Sequence, residues 1–205
     1  MPAIRASRTY EREQARMTRI DLTDRQPAAF LDRDGVLNRD IGYAHRADQI
    51  TWIDGVFPAV CRLNNAGYHV FVVTNQAGVA RGLYTEGHVE TLHAWMADQF
   101  RNAGARIDDW RYCPYHPDYQ PKRWSHLQHW RKPAPGMLLD LMDRWSVRLE
   151  GSFLIGDRES DIEAAHAAGI PGHRFTGGSL DLLVTSLLDA TSPGIPLSDP
   201  STDER

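Results

Sequence analysis

The sequence predicts an α/β fold: a Rossmann-like three-layer sandwich, with a mainly parallel sheet, helices on both faces and no large cap domain. Three observations carry this expectation. Short apolar runs of strand length alternate with helical patterns from Ala28 to Leu188, and parallel strands need such helical crossovers. The 205 residues are 41% hydrophobic and 24% charged, enough for one packed core. The segment after the first strand, Gly35 to Trp52, is too short for a cap, so a crevice at the sheet edge is open or roofed by short loops.

Each element has its own reason. Ala28–Asp32 (AAFLD) reads as a buried strand. Asp54 is placed to cap a helix over Val56–Ala66, ended by Gly67. Tyr68–Thr74 (YHVFVVT) is rich in β-branched residues and predicts a second strand. Thr85 opens a long helix to about Asn102, with Val89, Leu92, Trp95, Met96 and Phe100 at helical spacing and Gly104 beyond it. Ile107–Tyr112 is a third strand, and Pro135–Trp145 a helix with proline in its first turn. Ser152–Gly156 is a fourth strand, Ser160–Ala168 an alanine-rich helix closed by Gly169, Ile170–Phe175 a fifth strand and Leu180–Leu188 a last amphipathic helix. This outlines a domain over residues 28–189. Residues 1–27, with six arginines and four acids, read as an N-terminal extension with room for a short helix over Tyr10–Met17; 190–205, rich in Pro, Ser and Asp, read as a flexible tail.

Composition excludes several classes of function. A net charge of −4 is too mild to argue for nucleic-acid binding. The apolar runs are far shorter than a membrane span, and the first residues lack the apolar core of a secretory signal. Two cysteines, Cys61 and Cys113, suit a reducing compartment. The expectation is a cytoplasmic monomer. Of the 23 basic residues only Lys122 and Lys132 are lysine, so a lysine in a chemically suggestive context carries extra weight.

The suggestive residues fall at successive strand ends, where open parallel sheets bind ligands. The first strand runs into Asp32-Arg33-Asp34-Gly35, the second into Thr74-Asn75-Gln76, the third is followed by Arg131-Lys132-Pro133, and the fourth runs into Gly156-Asp157-Arg158-Glu159-Ser160-Asp161. Taken singly, each reads as a turn, a strand end, a surface loop or a helix cap. Their conjunction at one edge does not. Carboxylates gathered in a crevice need a cation, and hard oxygen donors with open positions suit magnesium. With a lysine and a hydroxyl beside them they suit a phosphoryl group, and an aspartate can take it covalently. A regulatory module with a long-lived phosphoaspartate is the reading from another class. Against it stands Asp34, a second acid that such a module does not need.

DRDG, VVTNQ, RKP and GDRESD resemble the four motifs of the haloacid dehalogenase-like superfamily of phosphohydrolases. The longer stretches FLDRDGVLNRDIGY, IDGV, VVTNQAGVARGLYT, RKPAPGMLL and GDRESDIEAAHAAGI resemble the subfamily of D-glycero-D-manno-heptose 1,7-bisphosphate 7-phosphatases and histidinol-phosphate phosphatases, over roughly Ala28 to Phe175. The resemblance implies a phosphomonoesterase acting on a small phosphorylated metabolite, with a heptose bisphosphate first and histidinol phosphate or another metabolite as the alternative. It makes Asp32 the nucleophile and Asp34 the acid that protonates the leaving alkoxide and then deprotonates water. Thr74 would hydrogen-bond the phosphoryl group and Lys132 would pair with it and with Asp32. Mg2+ would be held by the Asp32 side chain, the Asp34 backbone carbonyl and Asp157. Asp161 would stand behind the metal or cap the following helix. Substrate contacts fall on Asp40, Gly42, Tyr43, Asn75, Gln76, Arg131 and Arg158, the last at a position that is often lysine in the family.

The chain departs from the family between Cys113 and Trp130. Many relatives hold a structural zinc there, through a Cys-x-His and then a Cys-x-Cys just before the Arg-Lys-Pro. Cys113 remains, but Tyr115, Gln128 and Trp130 occupy the other three places. The expectation is no zinc and a loop packed on its aromatic residues; Cys113, His116, His126 and His129 are the ligand types left for a substitute site.

Overall fold

The computed structural model describes residues 25–119 and 122–191. Five parallel strands form one sheet in the order β3-β2-β1-β4-β5. They are β1 (Pro27–Leu31), β2 (His69–Asn75), β3 (Asp109–Cys113), β4 (Arg148–Gly156) and β5 (Gly172–Arg174). Five α-helices connect or flank them: α1 (Val56–Asn65), α2 (Glu86–Asn102), α3 (Gly136–Arg144), α4 (Glu159–Ala167) and α5 (Leu180–Thr191). Among the described residues no helix is long and apolar enough to cross a membrane. The expected helix at Tyr10–Met17 and the tail from 192 lie outside the described residues.

The period-two alternation of side chains along each strand divides the core into two layers. Ala29, Leu31, Val70, Val72, Phe153 and Ile155 meet the helices α1, α2 and α5 on one face. Ala28, Phe30, Phe71, Val73 and Leu154 meet α3 and α4 on the other. Strands buried on both faces read as unbroken apolar runs, as seen in the sequence.

Several boundaries differ from expectation. Asp54 does not cap α1: the capping position is Gly55, at φ 71°, and its side-chain-free Cα lets the chain pass Ser179 and Asp181, where a Cβ would stand 2.3 Å from Ser179 Oγ. The Asp54 carbonyl instead accepts from Leu180 N, tying α5 to α1. Pro135 stands just before α3 rather than within its first turn. β4 begins at Arg148, β3 at Asp109, β5 is reduced to Gly172–Arg174, and α5 continues to Thr191. Two short 3-10 turns, Ala47–Gln49 and Ser125–Trp130, were not anticipated because they bury no residue and so leave no apolar period.

Candidate active site

The sheet order puts β1 at the centre, with chain connections departing in opposite directions to β2 and β4. A crevice opens where such connections diverge. Asp32 immediately follows β1, and its N–H donates to Ile155 O, which fixes it beside the end of β4. Thr74 lies near the end of β2, Asp157 follows β4, and Lys132 reaches in from the loop after β3.

Lys132 is buried and all three of its ammonium hydrogens have acceptors. Nζ lies 2.8 Å from Asp32 Oδ1, 2.6 Å from Asp161 Oδ1 and 2.8 Å from the Val73 carbonyl. Burial disfavours the ammonium, but Asp32 and Asp161 outweigh it, and the Lys132 pKa is raised. Burial also pushes Asp32 up, to about 7; Lys132 opposes the shift, and Asp161 and Asp34 add to it. Asp157 is likewise raised, by burial first and then by Asp161. The ammonium serves Asp32 and Asp161 while Arg158 Nε lies 4.0 Å from Asp157 Oδ1, so two cations face three carboxylates and the group is short of positive charge.

A cation fits that deficit. Ligand atoms of Asp32, Asp157 and Asp161 lie within 4.8 Å of one another. Asp157 Oδ1 is buried with no hydrogen-bond partner among the described residues, a costly state that a metal relieves. Gly35, at φ 92°, leaves the space: a Cβ there would stand 2.3 Å from Asp157 Oδ2. Asp161 has both roles that the sequence left open. Its Oδ1 pairs with Lys132, and its Oδ2 accepts from Arg158 N at the start of α4.

The Asp34 carboxylate is held on its own network. Oδ1 accepts from Asn38 Nδ2 at 3.0 Å and Arg33 Nε at 3.2 Å; Oδ2 accepts from Arg33 Nη2 at 2.7 Å and Gln76 Nε2 at 3.0 Å. Arg33 is fully buried and also donates to Ala44 O and contacts His93 Nε2. His93, driven far below the usual histidine pKa by burial and by Arg33, is neutral and accepts at Nε2.

The expected substrate residues Asp40, Gly42, Tyr43, Asn75, Gln76, Arg131 and Arg158 line one cavity of about 560 Å³ with Asp32, Asp34, Thr74 and Lys132. Arg158 bonds Asp40 across its mouth at 2.7 Å. Asn75 uses both ends of its amide on the backbone of Lys132, at 3.0 and 3.1 Å, so here it positions the lysine. Arg131 donates to Tyr115 O, and burial lowers its pKa, with Arg81 and Arg158 nearby adding to the effect. Sequence reading did not single out Arg33, Asn38, Arg81, Tyr84 or His93. The signal for Arg33 was its place between two aspartates at a buried strand end.

Known proteins resemble this chain in sequence and in fold. The HAD-hydrolase-like family model matches residues 129–181. The D-glycero-beta-D-manno-heptose-1,7-bisphosphate 7-phosphatase of Rhodopseudomonas palustris is 49% identical over 164 residues, 80% of this chain and 91% of that protein. The enzyme of the same name from Photorhabdus laumondii is 42% identical, covering 82% of this chain and 95% of that one. The D,D-heptose 1,7-bisphosphate phosphatase of B. bronchiseptica, crystallised with magnesium and phosphate, superposes with a TM-score of 0.69 at 29% identity, over 80% of this chain and 99% of that one. This chain belongs to the haloacid dehalogenase-like phosphatases. It is a phosphoric monoester hydrolase, and its relatives are heptose-bisphosphate phosphatases.

The loop after β3 is where the sequence departs from the zinc motif that the resemblance implies. Cys113 is buried, its thiol donates to Leu127 O at 3.4 Å, and burial raises its pKa to about 11. Trp124 is buried against Val79, Ala80, Tyr84 and Val89, and its indole N–H donates to Glu86 Oε1 at 3.1 Å. His116 lines the active-site cavity. Among the described residues, Cys113, His116, His126 and His129 form no group of converging ligand atoms.

Proposed function

We propose that this phosphatase is magnesium-dependent, works through an aspartyl-phosphate on Asp32, and removes one phosphate from a heptose bisphosphate. The observation that carries the mechanism is the buried Lys132 shared by Asp32 and Asp161, beside an Asp157 oxygen with no hydrogen-bond partner among the described residues. Lys132 occupies Asp32 Oδ1, which leaves Oδ2 to attack phosphorus in line. The P–O bond to the sugar breaks as the O–P bond to Asp32 forms, and Asp34 gives its proton to the leaving alkoxide. Water then attacks the phosphoryl group, Asp34 takes its proton, and inorganic phosphate leaves with Asp32 restored. Thr74 and Lys132 supply hydrogen bonds and charge to the phosphoryl oxygens. Magnesium would be held by Asp32, Asp157 and the Asp34 carbonyl, with Asp161 behind them; when bound it neutralises the carboxylates and the transferring phosphoryl group.

The substrate follows from the relatives' names and from charge. Arg81, Arg131 and Arg158 line the outer cavity, and three guanidiniums suit a substrate with a second phosphate. The free cysteines Cys61 and Cys113 fit the reducing cytoplasm, where this reading places the enzyme. Phosphate release should be measured on a heptose 1,7-bisphosphate, the matching monophosphates and histidinol phosphate. The bisphosphate should have the highest kcat/KM, and excess EDTA should abolish turnover. Preference for histidinol phosphate would overturn the substrate; full activity in Asp32→Asn would overturn the mechanism.

A further inference from the structure

Four side chains at the phosphoryl site are linked in one direction. Tyr84 donates its hydroxyl to Gln76 Oε1 at 2.7 Å. Gln76 Nε2 in turn donates to Thr74 Oγ1 at 2.8 Å and to Asp34 Oδ2 at 3.0 Å, one bond for each of its two hydrogens. Both amide hydrogens are therefore used, and the orientation of the carboxamide decides what Thr74 and Asp34 receive. Because Thr74 Oγ1 accepts from Gln76, its own hydrogen is left for another partner, and no acceptor for it occurs among the described residues.

We infer that Tyr84 is a positioning residue for phosphoryl transfer: by holding Gln76 Oε1 it keeps the amide hydrogens on Thr74 and Asp34, so that the Thr74 hydroxyl hydrogen is free for a phosphoryl oxygen. A flipped amide would present Oε1 to Thr74, whose hydrogen would then be spent on Gln76. The fold is built around this tyrosine. Its ring is buried and stacked on His45 at 4.9 Å and 12°, and it lies so close to Gly78 that a Cβ there would stand 2.2 Å from the ring. Burial lifts the phenol to about 12, so it remains a donor throughout the range in which an enzyme works. Thr85 opens α2 directly after it, with its Oγ1 accepting from His88 N, which fixes the height of the ring at the site.

The inference rests on Thr74 contacting the transferred phosphoryl group, as proposed above. Tyr84→Phe keeps the ring and removes only the donor. Against a small phosphate ester such as p-nitrophenyl phosphate, it should lower kcat by about three- to tenfold, the worth of one directed hydrogen bond, with KM and the melting temperature nearly unchanged. The same substitution made in a Gln76→Leu background should have no further effect, because the amide through which it acts is gone. Wild-type kcat in Tyr84→Phe overturns the inference. So does an equal loss in both backgrounds, which would show that the tyrosine acts directly or through packing. Asp32→Asn, assayed alongside, tests the phosphoryl-transfer reading separately. An inactive Asp32→Asn with an unimpaired Tyr84→Phe would sink only this inference.

Discussion

Arg33, with no exposed surface, closes its guanidinium fork on the carboxylate of the second aspartate, Asp34, at 3.2 Å from Nε and 2.7 Å from Nη2. A buried arginine is costly unless its charge is paired and its donors are met. Here the carboxylate, the Ala44 carbonyl and the neutral His93 answer four of its five N–H groups.

Arg33→Met should therefore lose twice. It leaves Ala44 O and His93 Nε2 without a donor, for a cost of roughly 2–4 kcal/mol in unfolding free energy. It also frees Asp34 to adopt other rotamers, so kcat should fall by about tenfold or more beyond what stability explains. Urea unfolding and phosphate release on the same preparation separate the two effects. A variant as stable and as active as the parent would show that the fork is incidental.

Arg33 also marks the limit of what sequence alone conveys. The central strands β1, β2 and the second half of β4 were legible because residues buried on both faces leave apolar runs, and Asp32, Thr74, Lys132 and Asp157 were legible because parallel strand ends are where chemistry collects. Arg33 and Tyr84 were not, since residue-type rules put an arginine outside and gave the tyrosine no role before the fold brought it to Gln76. The start of α1 failed for a backbone reason: Asp54 has the cap's chemistry, but the close approach of Ser179 and Asp181 demands a glycine in the left-handed region, at Gly55.

Asp32 links activity to stability. Its folded pKa, about 7, lies above the ordinary value of 3.8, so the folded state holds its proton more tightly than the unfolded chain does. The Asp32 contribution to stability is present below about 4 and is lost as pH rises through about 7. In EDTA at pH 8 the ionised carboxylate is a burden, and Asp32→Asn should melt several degrees higher than the parent although it is inactive. At pH 4 the gap should close. Adding magnesium at pH 8 should raise the parent's melting temperature and leave the variant's nearly unmoved. A lower melting temperature for Asp32→Asn at pH 8 in EDTA would show that its bond to Lys132 outweighs the charge excess.

Gly35 tests the proposed metal site without replacing a ligand. A side chain there meets two penalties, a backbone at φ 92° and a Cβ 2.3 Å from Asp157 Oδ2. Gly35→Ala should displace Asp157, cost about 1–3 kcal/mol in stability, and raise the magnesium concentration needed for half-maximal rate by at least about tenfold. Titrating magnesium against phosphate release reads this directly. An unchanged midpoint would mean that Asp157 does not hold the ion.

The loop over 114–130 gives the last prediction, because two forms of stabilisation compete to explain it. The family resemblance implies a zinc in this loop, which would need four thiolate or imidazole ligands converging at about 2.0–2.3 Å. Here Cys113 turns its thiol to a carbonyl, while Trp124 enters the gap between β3, α2 and the turn after β2 and takes Glu86 as the partner for its indole N–H. Glu86 also accepts from Tyr112 at the end of β3, so one carboxylate ties the loop, the strand and the helix together. Removing the indole should then loosen the whole loop. Trp124→Ala leaves an apolar void and an unanswered carboxylate oxygen, for a cost of roughly 3–5 kcal/mol, and frees Arg131 and Lys132 at the loop's end to wander from the cavity. Purified protein should carry well under one zinc per chain by elemental analysis, and Cys113→Ser should be only mildly destabilising. One zinc per chain, lost together with stability in Cys113→Ser, would show that the histidines have taken over the metal site. The tryptophan would then be supporting a metal rather than replacing it.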